Sequence, residues 1–584
     1  MNRNVFLVGT AALALVAMVI VGGFMQRVGR AESDAPAGAI RVTIASSSTK
    51  KEWIDASVKT FNDASRSGNQ FRIGGKPIHI QVLQEELEPG KFDHYRSGTM
   101  VTDTLSGKIT PTVVSPAEGS WIDQLNKGWE GTHGKLLVTG KPTPLVRTPL
   151  VIGMWQSRAT AIGCWPRPTS NCSWNRLNEL AANAEGWAMF GHPEWGKLKM
   201  GYGYVGESNS GTLTAMLLCV LGSGKTSEIQ VEDVQPSTGC GKSMATLEGA
   251  KVHSGKKSSW LLGLMKDRGS EYLDAVTTYE QEVVTFNREN GKNLREPLVA
   301  VYPQDGTVVV EHPFAVLNGA SWVTDDQKKA AGLFLQFLLS EGQQREVEQW
   351  GLRRVDPTAI PKSPIETRFG AIPDAPIVPV EVPSVLVVDR IIEVWHQVKK
   401  HAVVALVFDK SGSMEGQKLA TALVGATAMV QAMDPQDELI WVPFDSRVYP
   451  GRQGTKGEIG EQLVGDIRST TAAAGTALYD AIGEAYRKVG LREDVLGDRW
   501  RYGIVVLSDG QDTSSVRMSM AQLQALLAPS EGDPTAIQIH TIGVGSDADK
   551  GVLSRLATMA HGRYWDARDP ARVVDSYREI AVHY

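Results

Sequence analysis

The sharpest pattern of apolar and polar positions lies in the second half of the chain. Four apolar runs of strand length, 402–408 (AVVALVF), 438–444 (ELIWVPF), 502–508 (YGIVVLS) and 537–544 (IQIHTIGV), alternate with helix-patterned segments such as 418–433 and 475–489. Near-continuous apolar strands separated by helices predict a parallel sheet covered on both faces, a doubly wound α/β fold. The first half reads in the same sense with weaker contrast. RVTIAS (41–46) precedes the helical stretch 50–65, IHIQVLQ (78–84) precedes another, and TPTVVSP (110–116) precedes WIDQLNKGW (121–129). That alternation predicts a further α/β region with largely parallel strands from Ile40 to Asp356. Between the halves, residues 357–383 hold seven of the 28 prolines, a density that breaks both helix and sheet, and an amphipathic stretch follows at 385–400. The expected organisation is therefore 1–39, 40–356, a linker at 357–400, and 401–584.

The first segment is expected to meet a membrane. Residues 5–25 form an uncharged apolar run about as long as a spanning helix needs. A cleaved secretory signal has a shorter apolar core and a small-residue cleavage site, whereas Arg27 and Arg30 stand where that site would fall. An uncleaved N-terminal anchor with the bulk extracytoplasmic is the expectation, secretion after cleavage the alternative, and the flanking arginines leave orientation open. The cysteines agree with an oxidising side. Cys164 and Cys172 bracket one short loop, Cys219 and Cys240 another, and these local pairings are preferred among the three connectivities, against four separate thiols. Zinc is disfavoured, because no C-x-x-C pair or histidine at ligand spacing accompanies them.

Composition narrows the function classes. The 584 residues carry 60 basic and 65 acidic side chains, a net charge of −5, with 42% apolar and 21% charged residues. That is a multi-domain globular chain with no electrostatic reason to bind nucleic acid.

Candidate chemistry gathers where a doubly wound sheet collects its ligands, at the carboxyl ends of the strands. Directly after 402–408 comes DKSGSM, placing Asp409, Ser411 and Ser413 in one tight loop turned by Gly412. Asp509 follows 502–508, and Thr476 opens a helical segment after Gly475. Two carboxylates and three hydroxyls are hard oxygen donors suited to Mg2+ or Mn2+ with retained waters. Each alone reads as a helix cap; the spaced set reads as a metal site. D-K-S-G-S-M, then G-T-A-L, then L-S-D-G resembles the metal-ion-dependent adhesion site of von Willebrand factor A domains, over roughly 401–584. The resemblance implies that Ser411, Ser413 and Thr476 touch the ion and that Asp409 and Asp509 bind it directly or through water. It also implies that an acidic residue of a protein partner completes the coordination. Asp512 matches no required position.

Residues 40–356 are similar to bacterial extracellular solute-binding proteins with two α/β lobes, on the segments 41–55, 144–155, 206–216 and 302–317. Ser46, Ser47 and Ser48 lie between a strand and a helix, and Ser208, Ser210, Gly211 and Thr212 likewise precede an apolar helix. Hydroxyls beside helix N-termini suit a small oxyanion or polar solute held between lobes, with ordinary N-capping as the alternative. GSGKT (222–226) ends like a phosphate-binding loop, but Cys219 stands where that motif needs glycine, and a helical run precedes it. No hydrolase elbow, metalloprotease helix or Cys–His arrangement is present, so catalysis is not expected, and His540 reads as a packed strand residue. The favoured function is a membrane-tethered binding protein, Mg2+-dependent in its second module. The alternative makes the first module a solute receptor for transport or sensing, with the second module as its dock.

Overall fold

A computed structural model describes residues 35–583, except 69, 89–90, 226–228, 256, 498–499, 529–536 and 568–570. The apolar run 5–25 lies outside the described residues. Among those described, no helix is long and apolar enough to cross a membrane. The chain divides into two compact units, one formed by residues up to Thr148 with Val310–Ile365, the other by Pro149–Val309 with Glu366–Tyr584.

The first unit is built on a sheet ordered Arg72–Ile73, Lys76–Glu88, Ile40–Ser46, Val113–Ser115, Pro313–Val316, Thr143–Pro144, with Lys91–His94 paired to Lys76–Glu88. Ile40–Ser46 runs parallel to both its neighbours, and Ser46 stands in register with Ser115. The largely parallel pairing expected over 40–356 does not hold, because Pro313–Val316 and Lys91–His94 here, and Thr148–Trp155 against both its neighbours in the next sheet, pair antiparallel. Helix Lys51–Ser67 buries Trp53, Ile54, Ser57, Phe61 and Ser65, one side chain per turn. With Phe334 of helix Asp325–Leu338 its aromatic residues form the core on one face. Trp121, Ile122, Leu125 and Trp129 of helix Ser120–His133 fill the other.

The second unit contains two sheets. The first is ordered Leu298–Val301, Thr148–Trp155, Ala275–Tyr279, Met200–Gly203, Lys251–Gly255. Both expected disulfides are present here, Cys164–Cys172 and Cys219–Cys240. The latter joins helix Asn209–Gly222 to helix Gly239–Ala250. Gly222 belongs to that contact and to no phosphate loop, because a Cβ on it would lie 2.5 Å from the Gly239 carbonyl. The proline-rich linker is docked through its backbone. Thr307 N–H donates to Val378 O at 2.8 Å, Val380 N–H returns a bond to Thr307 O at 2.8 Å, and Ala300 N–H donates to Gly370 O at 2.7 Å. Helix Val385–Val398 then packs its apolar side, with Val387, Ile391 and Trp395, against the two disulfide-linked helices.

The remaining sheet is the doubly wound one, ordered Gln453–Thr455, Glu438–Phe444, His401–Asp409, Trp500–Ser508, Gln538–Val544, Tyr564–Ala567. All neighbours are parallel except the edge strand Gln453–Thr455. Helices Gln417–Ala432 and Ala571–His583 cover one face, and Leu478–Leu496 and Lys550–Met559 the other. The chain starts at a central strand and winds outward in both directions. The switch point therefore falls between the carboxyl ends of His401–Asp409 and Trp500–Ser508. His540 is buried in its strand as expected. Its Nδ1 accepts from Arg563 N–H at 3.2 Å, and burial pushes its imidazole down to about 3.

A buried charge cluster lies within the second unit, where helix Gly239–Ala250 meets the doubly wound sheet. Glu248 accepts from Lys251 Nζ at 2.7 Å, Arg501 Nη2 at 2.9 Å, Trp395 Nε1 at 3.3 Å and the Tyr202 hydroxyl. Burial alone would raise the Glu248 carboxyl, but the charges of Lys251 and Arg501 outweigh it and hold the carboxyl at about 2. Removing one partner of such a cluster strands the others in low dielectric, at a cost of about 3–5 kcal/mol. Glu248→Gln is expected to destabilise the chain by that order in denaturant titration. Because the folded carboxyl titrates below its unfolded value, Glu248 contributes its full stabilisation above about pH 4.5. The contribution is lost as pH falls toward about 2, so the variant's deficit should shrink over that window. Reduction of the two disulfides should also lower the thermal midpoint, by an amount corresponding to about 2–4 kcal/mol for each bridge.

Candidate functional site

Asp409 closes the central strand with its side chain fully buried. Its Oδ1 accepts the Ser411 N–H at 2.8 Å, and its Oδ2 accepts the Ser508 hydroxyl at 2.5 Å, across the switch point. Ser508 in turn accepts Gly510 N–H at 3.0 Å, which folds the second loop back over its own strand. Burial pushes the Asp409 carboxyl up to about 6; the bonds from Ser411 and Ser508 oppose that shift, and the neighbouring charge of Asp509 adds to it. A cation beside the two carboxylates would offset the burial cost and favour the ionised pair.

The DKSGS loop is held by its neighbours as well. Lys410 N–H donates to Phe444 O at 2.9 Å, Ala473 N–H to Lys410 O at 2.9 Å, and Gly412 N–H to Ala474 O at 3.0 Å. Ala474 takes a left-handed backbone (φ 57°), a conformation that a side chain disfavours and the two bonded loops impose. Within the first loop, Ser411 Oγ and Ser413 Oγ lie 3.0 Å apart. Thr476 is fixed through its backbone, its N–H donating to Thr513 Oγ1 at 2.9 Å and its carbonyl accepting from Thr513 and Ser514. Gly475 is required there, since a Cβ would come within 2.3 Å of Ser514 Oγ. Asp512, set aside in the sequence, accepts from Tyr479 N–H and Ser515 Oγ at the start of helix Leu478–Leu496, a structural cap.

Asp509 differs from all of these. Its backbone carbonyl accepts Asp549 N–H at 2.6 Å, but its Oδ1 is buried with no hydrogen-bond partner. An orphaned carboxylate oxygen beside a second carboxylate and a pair of hydroxyls fits a divalent cation, and every donor in the set is a hard oxygen. Among the described residues no group of three or more His, Cys, Asp or Glu side chains could cage a metal. An ion at this place would depend on hydroxyls and water. The one ammonium in the loop, Lys410, is bound to the Asp445 carboxylate and stacked over Tyr449. Ser508 is the functional neighbour that the sequence reading missed; its place one residue before Asp509, on a strand parallel to Asp409's, was the available signal.

The serine loops of the front region fall one in each unit. Ser47 precedes the short turn Ser48–Lys50 and takes no side-chain capping bond; its Oγ accepts from Lys50 Nζ at 2.7 Å instead. Ser46 ends its strand, buried, with Oγ unpartnered. Ser208 likewise does not cap helix Asn209–Gly222 through its side chain, and its Oγ lies 3.2 Å from Ser210 Oγ. Thr212 is turned onto its own loop, donating to Ser208 O and accepting Gly206 N–H. Gly211 permits a close approach, because a Cβ would meet Gly203 O at 2.1 Å. Lys50, Ser115 and His312 adjoin the first loop and were not legible as site residues.

Residues 42–353 match the family described as bacterial extracellular solute-binding protein, and residues 404–578 match the von Willebrand factor type A domain. An uncharacterised protein of Mycobacterium tuberculosis is 23% identical over 412 residues, 68% of this chain and 58% of its own length. An uncharacterised protein of Synechocystis is 25% identical over 176 residues, 30% of this chain and 40% of its own. The chain thus spans between two-fifths and three-fifths of the curated relatives it matches. Among solved structures, a periplasmic thiamin binding protein shares 13% identity, covering 63% of this chain and 98% of that one (TM-score 0.42). A von Willebrand factor type A protein from Catenulispora acidiphila shares 21%, covering 32% and 42% (TM-score 0.28). The chain belongs to the bacterial extracellular solute-binding proteins, and its solute-binding module is followed by a von Willebrand factor type A domain.

Proposed function

We propose that this extracytoplasmic binding protein captures an acidic group of a protein partner through a Mg2+ ion held by its A domain. Ser411, Ser413 and Thr476 would supply hydroxyl ligands, and Asp409 and Asp509 would bind directly or through water. The observation that carries the reading is the buried, unpartnered Oδ1 of Asp509 beside an Asp409 whose own oxygens are already oriented by Ser411 and Ser508. With two carboxylates against a doubly charged ion, the site has no surplus negative charge, and a partner's carboxylate is a natural further ligand. The apolar run 5–25 is proposed to tether the chain to the membrane. The front module is proposed to bind a small solute, so that one chain carries a soluble ligand and a protein partner.

Mn2+ titration followed by electron paramagnetic resonance should show one tight site in the full chain. Asp409→Ala should remove it while leaving the circular dichroism spectrum unchanged. Retention of full Mn2+ affinity by that variant would contradict the proposal. Partner capture from envelope extracts should likewise be lost on chelation and in the same variant. Ser508→Ala removes a group that orients a ligand without touching the ion, and should weaken Mn2+ binding by roughly 10–100-fold. An unchanged affinity would show that Asp409 needs no support from the second strand.

A further inference from the structure

At the carboxyl edge of the first unit's sheet, five polar side chains gather with no acid among them. Lys50 is 1% exposed, and its Nζ donates to Ser47 Oγ at 2.7 Å and to the carbonyls of Ser115 and Pro116 at 2.8 and 3.4 Å. No carboxylate pairs with it among the described residues. His312, also buried, has Nδ1 3.4 Å from Ser47 Oγ, while its Nε2 has no partner. Its backbone is left-handed (φ 38°), a strained conformation for a residue with a side chain. The hydroxyls of Ser46 and Ser115 are buried and unpartnered too, and the two residues stand opposite each other in parallel register, so they share one face of the sheet.

Buried polar groups are normally satisfied, and buried charges paired. Here the unsatisfied groups are of one kind. With Lys50 donating to its oxygen, Ser47 gives its own O–H to His312 Nδ1, which places the His312 proton on Nε2. Ser46 and Ser115 each offer an O–H, and His312 offers its Nε2–H. One amine that an anion would keep protonated and three available donors, with no acidic side chain to meet them among the described residues, complement a compact anion. A neutral polyol would satisfy the hydroxyls and leave the ammonium uncompensated, and a cation would be repelled by it. We propose that Lys50, His312, Ser46, Ser47 and Ser115 form an anion site that binds a small inorganic oxyanion of the sulfate or phosphate type. The site rests on the reading of the front domain as a solute-binding module and specifies the charge of its solute. Burial without an acidic partner holds the Lys50 ammonium well below its usual range, and a bound anion would supply the missing charge.

The test uses the full chain with chelator present and ionic strength held with chloride, titrated with sulfate, phosphate, glucose or trialanine and followed by thermal shift and calorimetry. Sulfate or phosphate should raise the midpoint in proportion to the logarithm of its concentration, and glucose should not. Lys50→Met should lose roughly 10–100-fold in anion affinity, the range that a hydrogen bond to a charged group supports. Should Lys50→Met fail to fold, Ser46→Ala and Ser115→Ala, which delete only unpartnered hydroxyls, carry the same comparison with a smaller loss. Undiminished anion binding in the variants overturns the site. A response to glucose and to neither anion also overturns it, and leaves the solute-binding reading intact. Silence toward anions, sugars and peptides alike overturns both.

Discussion

A buried carboxylate at the end of a central strand is the constraint around which the A domain is arranged. Asp409 is buried, so its two oxygens are met by the Ser411 amide and the Ser508 hydroxyl. Meeting them requires the DKSGS loop to turn tightly and the neighbouring strand to stop in register. Those demands set the Gly412–Ala474 bond, the left-handed Ala474 and the glycine at 475. What they do not provide, among the described residues, is a partner for Asp509 Oδ1, the oxygen proposed to meet the ion. The fold places it at a topological switch point, where two loops diverge and leave room between strand ends.

The same logic of charge in low dielectric appears twice more, with different outcomes. At Glu248 the charge is met internally, by Lys251 and Arg501, which ties a helix of the solute-binding module to the start of an A-domain strand. Such a cluster fixes the two elements against each other because neither can leave without stranding a charge. At Lys50 the ammonium has hydrogen bonds but, among the described residues, no carboxylate partner. An acid oxygen without a donor and an ammonium without a carboxylate are opposite in sign, and they are the places proposed here for a cation and an anion. The fully compensated cluster marks a joint.

The parts legible in the sequence were those written in short-range pattern. Buried parallel strands are near-continuously apolar, so the doubly wound sheet could be read strand by strand, and both disulfides follow from local spacing. The Asp409, Ser411, Ser413 loop was legible because its members are adjacent. Ser508 was passed over because its hydroxyl reads as the end of a strand and acquires its role only through a bond across 99 residues. Lys50 and His312 both reach Ser47, and His312 does so across a wider gulf still, standing 265 positions after it. The prolines of 357–383 suggested a linker without helix or sheet, since they donate no backbone bond. Their non-proline neighbours still do, and Val378 and Val380 dock on Thr307. Capping was the alternative for the serines at helix starts, yet Ser47 and Ser208 make no side-chain cap, a choice that depends on tertiary neighbours.

The central claim is that oxygen donors from three separate loops converge on one divalent ion. Anomalous diffraction from a crystal soaked in Mn2+ tests it most directly. The account predicts a single strong peak in the A domain within bonding distance of the Ser411 and Ser413 hydroxyls, with Thr476 and Asp509 adjoining it. An empty switch point, or a peak bound by other side chains with Asp509 turned away, would contradict it.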